Sequence, residues 1–131
     1  MSINIEISTG EFRDKITILK IKADRIKDKD KLRNITNELN QLVDHWEKYS
    51  HKEIEIDGEL KKLRNINEQL WDIEDNIRDK ERAQEFDDVF VKLARSVYFT
   101  NDKRAEVKKE INKKMGSLLV EEKSYKEYKE N

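Results

Sequence analysis

The sequence predicts a mainly α-helical fold, an antiparallel bundle of four to five helices with two short β-strands near residues 3–7 and 53–57. Three observations carry that expectation. The chain holds no proline and three glycines, so little interrupts a helix. Apolar residues recur at steps of three and four over long stretches, the period of a helix with one buried stripe. Isoleucines alternate with polar residues at Ile3, Ile5 and Ile7 and again at Ile54 and Ile56, the period of a half-buried strand.

Each element has its own signals. Ser8 and Glu11 stand at capping-box spacing ahead of Phe12, Ile16, Leu19, Ala23 and Ile26, which predicts a first helix. Asp28 or Asp30 can cap a second on Leu32, Ile35, Leu39, Leu42, Trp46 and Tyr49, and the short turn between them predicts a helical hairpin. Asp57 is a good N-cap for a third helix on Leu63, Ile66, Leu70, Ile73 and Ile77. A fourth is expected from Glu85 to Phe99 on Phe86, Phe90, Leu93 and Val97, with a break or kink near Thr100, Asn101 and Asp102. A fifth follows on Val107, Ile111 and Met115 and closes at Gly116. The first three stripes should pack together, with Leu39, Leu70 and Ile73 fully buried. One domain over 1–116 and a partly ordered tail over 117–131 complete the expectation.

Composition sets the limits. Charged residues make up 44% of the 131 positions, a fraction that can signal disorder. Leu, Ile, Val and Phe still number 34, about 26% and above the ~20% below which disorder is expected. The 28 Lys and Arg nearly balance the 29 Asp and Glu, so net repulsion is slight and a folded chain is expected. A net charge of −1 gives no general attraction to nucleic acid or to an anionic membrane. The absence of cysteine excludes disulfides and thiolate chemistry. The start, Met1 to Glu6, has neither a basic region nor an apolar run, and no stretch has a membrane-spanning pattern, so a cytoplasmic location is expected.

The polar residues offer few sites. His45 and His51 lack a third partner at zinc spacing, and no phosphate loop or nucleophile motif is present, so no cofactor is expected. Glu68, Asp72, Asp75 and Asp79 share a helix face, the kind of carboxylate row that can hold a hard divalent cation. That stripe resembles the glutamate-rich helices of all-helical nucleotide pyrophosphohydrolases. It lies opposite Ile66, Leu70, Ile73 and Ile77, where a charge row is ordinarily solvated. Residues 13–33 are rich in Lys and Arg while 68–88 are rich in Asp and Glu, which suits two helices packed with complementary flanks. The densest mixed cluster runs from Ala94 to Arg104. Arg25, Arg95, Tyr98, Asn101, Asp102 and Arg104 are the candidates for binding an anionic small molecule at the junction of the fourth and fifth helices. The plain alternative is that Arg95 and Arg104 pair with acids inside the fold while Asn101 or Asp102 simply caps a helix.

Four blocks carry a resemblance: Gly10 to Lys22, Leu70 to Arg78, Ala94 to Arg104, and Glu121 to Tyr125. Together they are similar to an uncharacterised bacterial and phage family known as a domain of unknown function. The resemblance spans nearly the whole chain. It implies a short helical protein that stands alone or beside sugar-transfer and surface-glycan proteins, and it supplies no catalytic residue. Phe12-Arg13-Asp14-Lys15-Ile16 also resembles the opening of the all-helical chorismate mutases, which bind a dicarboxylate inside a helical dimer. The second arginine of that pattern is not clearly placed here, and no matching lysine and glutamine follow.

Two functional readings stand. Ile18, Ile21, Val91 and Tyr98 give two helices a second apolar face, which points to a non-enzymatic interaction protein. Such a protein would form a homodimer or dock on a larger, glycan-related partner. The alternative is a small-molecule enzyme or anion-binding module built on the six candidates above, its ligand a nucleotide, a sugar phosphate or a dicarboxylate.

Overall fold

The computed structural model describes residues 1–49, 51, 53–119 and 121–128. Four helices follow one another: α1 (Thr9–Arg25), α2 (Lys29–Glu47), α3 (Asp57–Arg82) and α4 (Asp88–Met115). Their ends are set by local chemistry. Ser8 Oγ accepts from the Glu11 N–H at 3.1 Å and starts α1. Asp28 accepts from the Lys31 N–H at 2.9 Å and starts α2. Asp87 accepts from the Phe90 N–H at 3.0 Å and starts α4. Each cap satisfies a donor that the first turn of a helix leaves open. Gly116 ends α4 in the left-handed conformation, φ 62°, where a side chain would be strained.

α3 and α4 form an antiparallel hairpin and supply the main core. Ile56, Leu63 and Ile66 meet Val107, Ile111 and Met115. Glu59 pairs with Lys114 along its rim. α1 lies across this hairpin and buries Ile16, Leu19 and Ile21. α2 runs antiparallel along α1, with Trp46 stacked on Phe12 at 6.2 Å and Lys15 bonded to Glu38 at 2.9 Å. α1 is the one helix that α2 packs along, although Trp46 also reaches the core. No residue of α2 is fully buried.

Several sequence expectations are corrected. There is no strand among the described residues: Ile3, Ile5 and Ile7 are exposed and unpaired, while Ile56 instead seals the core at the start of α3. Alternation over so few residues makes a strand only where a partner supplies its hydrogen bonds. Asp57 is the first residue of α3, and Ile56 holds the N-cap position with no side-chain bond. The described residues form four helices because α4 runs unbroken through Thr100, Asn101 and Asp102. Those residues cost a helix less than about 1 kcal/mol each, and the packing of α4 against α1 and α3 overrides that preference. The stripes of the first three helices do not form one bundle, and Leu39, Leu70 and Ile73 are half-buried. α3 spends its apolar face on α4, its nearest neighbour in sequence. Among the described residues no helix is long and apolar enough to cross a membrane.

Candidate functional site

The polar centre of the molecule lies where α1 crosses the α3–α4 hairpin. Asp14, one turn into α1, is 1% exposed. Arg104 of α4 grips its carboxylate from one side, with Nε 3.2 and 3.1 Å from the two oxygens and Nη2 also bonded. Asn67 of α3 donates to Asp14 Oδ1 at 2.8 Å. A buried carboxylate is tolerated because it is paired and hydrogen-bonded. Burial alone would lower the Arg104 pKa, and the bonds to Asp14 outweigh it, holding the guanidinium above its ordinary value.

One turn further along α4, Lys108 continues the same face. Its side chain is only 10% exposed, and Nζ donates to Glu11 of α1 at 2.6 Å and to Glu121 at 2.7 Å. Burial opposes its charge, but those two carboxylates prevail and raise its pKa. Glu121 is correspondingly held below the usual carboxylate range by its bond from Lys108.

Glu121 belongs to the segment after Gly116, which turns back along α4 and is tied down chiefly by charge. Lys123 and the Tyr128 hydroxyl both bond to Asp102, and Lys109 sits 3.7 Å from Glu122. Tyr128 adds ring contacts to Tyr98 and Phe99 at 5.3 Å each. Leu118 and Tyr125 stay exposed, so little apolar burial holds the segment. Between it and α4 lies a groove of about 520 Å³, lined in part by Tyr98, Asn101, Asp102, Arg104, Lys108 and Tyr125. A second groove of about 490 Å³ opens among α1, α3 and α4, over Ile18, Ile21, Leu70 and Trp71. Asn101 and Arg104 line both.

The structure therefore brings four of the six sequence candidates together. Tyr98, Asn101, Asp102 and Arg104 line the groove under the C-terminal segment. They do so from one continuous helix, since the expected helix junction does not exist. Arg25 lies apart, bonded to Asp72 at 2.6 Å and 5.6 Å from the Trp71 ring. Arg95 sits 5.5 Å over Phe99 and does not line the groove. Arg104 pairs internally with Asp14, as the plainer expectation had it, whereas the contact of Arg95 is with the Phe99 ring rather than an acid.

The acidic stripe is likewise engaged. Glu68 bonds Arg64, Asp72 bonds Arg25, and Asp79 lies 3.3 Å from Arg82. Among the described residues no three carboxylates or histidines gather as a metal site would require. Of the complementary flanks expected between residues 13–33 and 68–88, the pair Arg25–Asp72 forms.

Sequence reasoning missed Asp14, Asn67, Lys108 and Glu121. Lys108 was within reach, because it stands four residues after Arg104 on one helix face. Asp14 carried no local sign of being buried, and Glu121 meets Lys108 only through the fold of the tail. Chemically, the arrangement is a fixed guanidinium and a buried ammonium beside an open groove, suited to holding an oxyanion.

Comparison with known proteins adds a family and no activity. No curated protein and no solved structure matches the chain. The model of DUF6165, a family of unknown function, matches residues 3–129, and the chain belongs to that family.

Proposed function

We propose that this protein is a helical interaction module that works by associating with a second copy of itself. One observation carries the reading: from residue 68 to residue 99, no residue is buried. This stretch is the outer half of the α3–α4 hairpin, an arm of two helices. The hydrogen bonds and ion pairs that α1 makes to the hairpin reach residues 64 to 72 of α3 and 104 to 112 of α4. Beyond them the arm has no third helix among the described residues, yet it carries Ile73, Ile77, Phe90, Leu93 and Val97 at helical spacing. Helices of this length draw their stability in water from packing an apolar face rather than from propensity.

A stable interface removes roughly 800 Å² per partner. Two such arms packed side by side make a four-helix bundle with a two-fold axis, a common closed dimer. On a helical wheel Trp71, Phe90, Ala94 and Val97 share the side on which α1 lies, next to the groove over Ile18 and Leu70. Charges at the tip are already paired within the arm, through Arg78–Glu74, Arg82–Asp79 and Lys80–Glu85, so the apolar seam needs no separate neutralisation. Of the four residues expected at an interface, Ile21 is buried within the chain, while Val91 and Tyr98 are exposed and Ile18 lines the groove.

Hydrogen exchange tests the proposal. Amides of residues 73–97 should exchange more slowly as protein concentration rises, while those around Leu63 stay unchanged. Exchange in the arm that is independent of concentration would contradict self-association.

A further inference from the structure

We infer that the Lys108–Arg104 edge of the groove is a binding site for the oxyanion group of a small molecule, a carboxylate or a phosphate, and that Glu121 occupies it as the chain's own competitor. The two cations are prepared for this. Lys108 is nine-tenths buried, and of its three carboxylate neighbours Glu11 and, at 3.9 Å, Asp14 are fixed on α1 while Glu121 comes from the C-terminal segment and is 58% exposed. Arg104 is clamped by Asp14 through Nε and Nη2, and Nη1 makes no hydrogen bond among the described residues. A guanidinium oriented by a buried carboxylate offers its remaining edge at little entropic cost.

The Glu121 carboxylate thus stands where a ligand's carboxylate or phosphate would stand. Its hold is weak in kind. The segment is tied by partly exposed ion pairs, each contributing little and screened by salt, and it leaves Leu118 and Tyr125 in water. Displacing Glu121 costs one such pair and returns its carboxylate to solvent. The walls beyond the cations, Tyr98, Tyr125 and the Asn101 amide, can take the ring or hydroxyls of the ligand's body. This site stands independently of self-association.

The test titrates the full chain with inorganic phosphate and with succinate, each against sodium chloride at matched ionic strength, by calorimetry and by side-chain nitrogen NMR of Lys108 and Arg104. One of the two anions should bind saturably and move both resonances, and which one does so identifies the chemistry. Glu121→Gln should tighten that binding about fivefold, the effect of removing one competing, half-exposed pair. Lys108→Gln should abolish it. Trypsin should also cut after Lys123 faster with the bound anion than with chloride. Responses equal to those in chloride, or an affinity unchanged or weakened in Glu121→Gln, would overturn the inference. Should Lys108→Gln fail to fold, the Glu121→Gln comparison decides alone.

Discussion

The backbone N–H of Gly10 donates to Asn112 Oδ1 at 2.6 Å, and this bond joins the start of α1 to the end of α4. It satisfies one of the donors that a helix start leaves open. It also requires the two backbones to approach so closely that a Cβ on Gly10 would lie 2.5 Å from the Lys108 carbonyl oxygen. Gly10→Ala is therefore expected to destabilise the chain by about 1–3 kcal/mol in urea titration, the usual cost of overpacking. Gly58→Ala is the control, because a Cβ there meets nothing within 4 Å in the first turn of α3. It should stabilise by about 0.4–1 kcal/mol. Equal effects at the two glycines would refute the close approach.

Asp14 and Arg104 form the second contact on which the placement of α1 depends. Asp14→Asn keeps the shape, removes the charge and leaves the guanidinium without its partner. A loss near the lower end of about 3–5 kcal/mol is expected, since Arg104 remains 27% exposed. Arg25→Ala, which breaks the exposed pair with Asp72, should cost no more than about 1 kcal/mol. Chemical denaturation of both variants checks the contrast.

Acid should release the C-terminal segment before the helices unfold. Lys108 holds Glu121, and Lys123 and Tyr128 hold Asp102, below the ordinary carboxylate range. Groups depressed in the folded state stabilise docking at neutral pH, and that contribution fades as pH falls from the ordinary range through their lowered values. The Tyr128 ring resonances should therefore drift toward unstructured positions below about pH 4 while the Leu63 methyls keep their native shifts. Simultaneous loss of both signals would show that the segment is an integral part of the core.

Much of the fold was legible because its signals are local. Ser8, Asp28 and Gly116 each act within one turn, so spacing alone placed them. What was misread depends on neighbours distant in sequence. Thr100 to Asp102 would suit a helix end in isolation, and the packing of α4 on α1 and α3 keeps them helical. Leu70 and Ile73 share a stripe with Leu63 and Ile66, but α1 reaches only the inner half of that stripe. Four groove residues could be found from the cluster around Tyr98 and Arg104, whereas Glu121 could not, since nothing local points it at Lys108.

That difference along one stripe can be measured. Leu63→Ala should cost roughly 2–5 kcal/mol, the range for a fully buried leucine. Asp75→Ala, on the exposed side of α3, should change stability by no more than about 0.5 kcal/mol. Urea titration giving Asp75→Ala the larger effect would place the acidic stripe inside the fold.

Self-association through residues 68–99 is tested most directly by sedimentation equilibrium of the full chain across micromolar concentrations. The average mass should rise with concentration from 15.8 kDa toward twice that value. Ala94→Glu, a change that keeps helix propensity while placing a charge on the arm's apolar face, should stay at the single-chain mass with its helix content intact. A wild-type chain that remains a single 15.8 kDa species at high micromolar concentration would contradict the proposal.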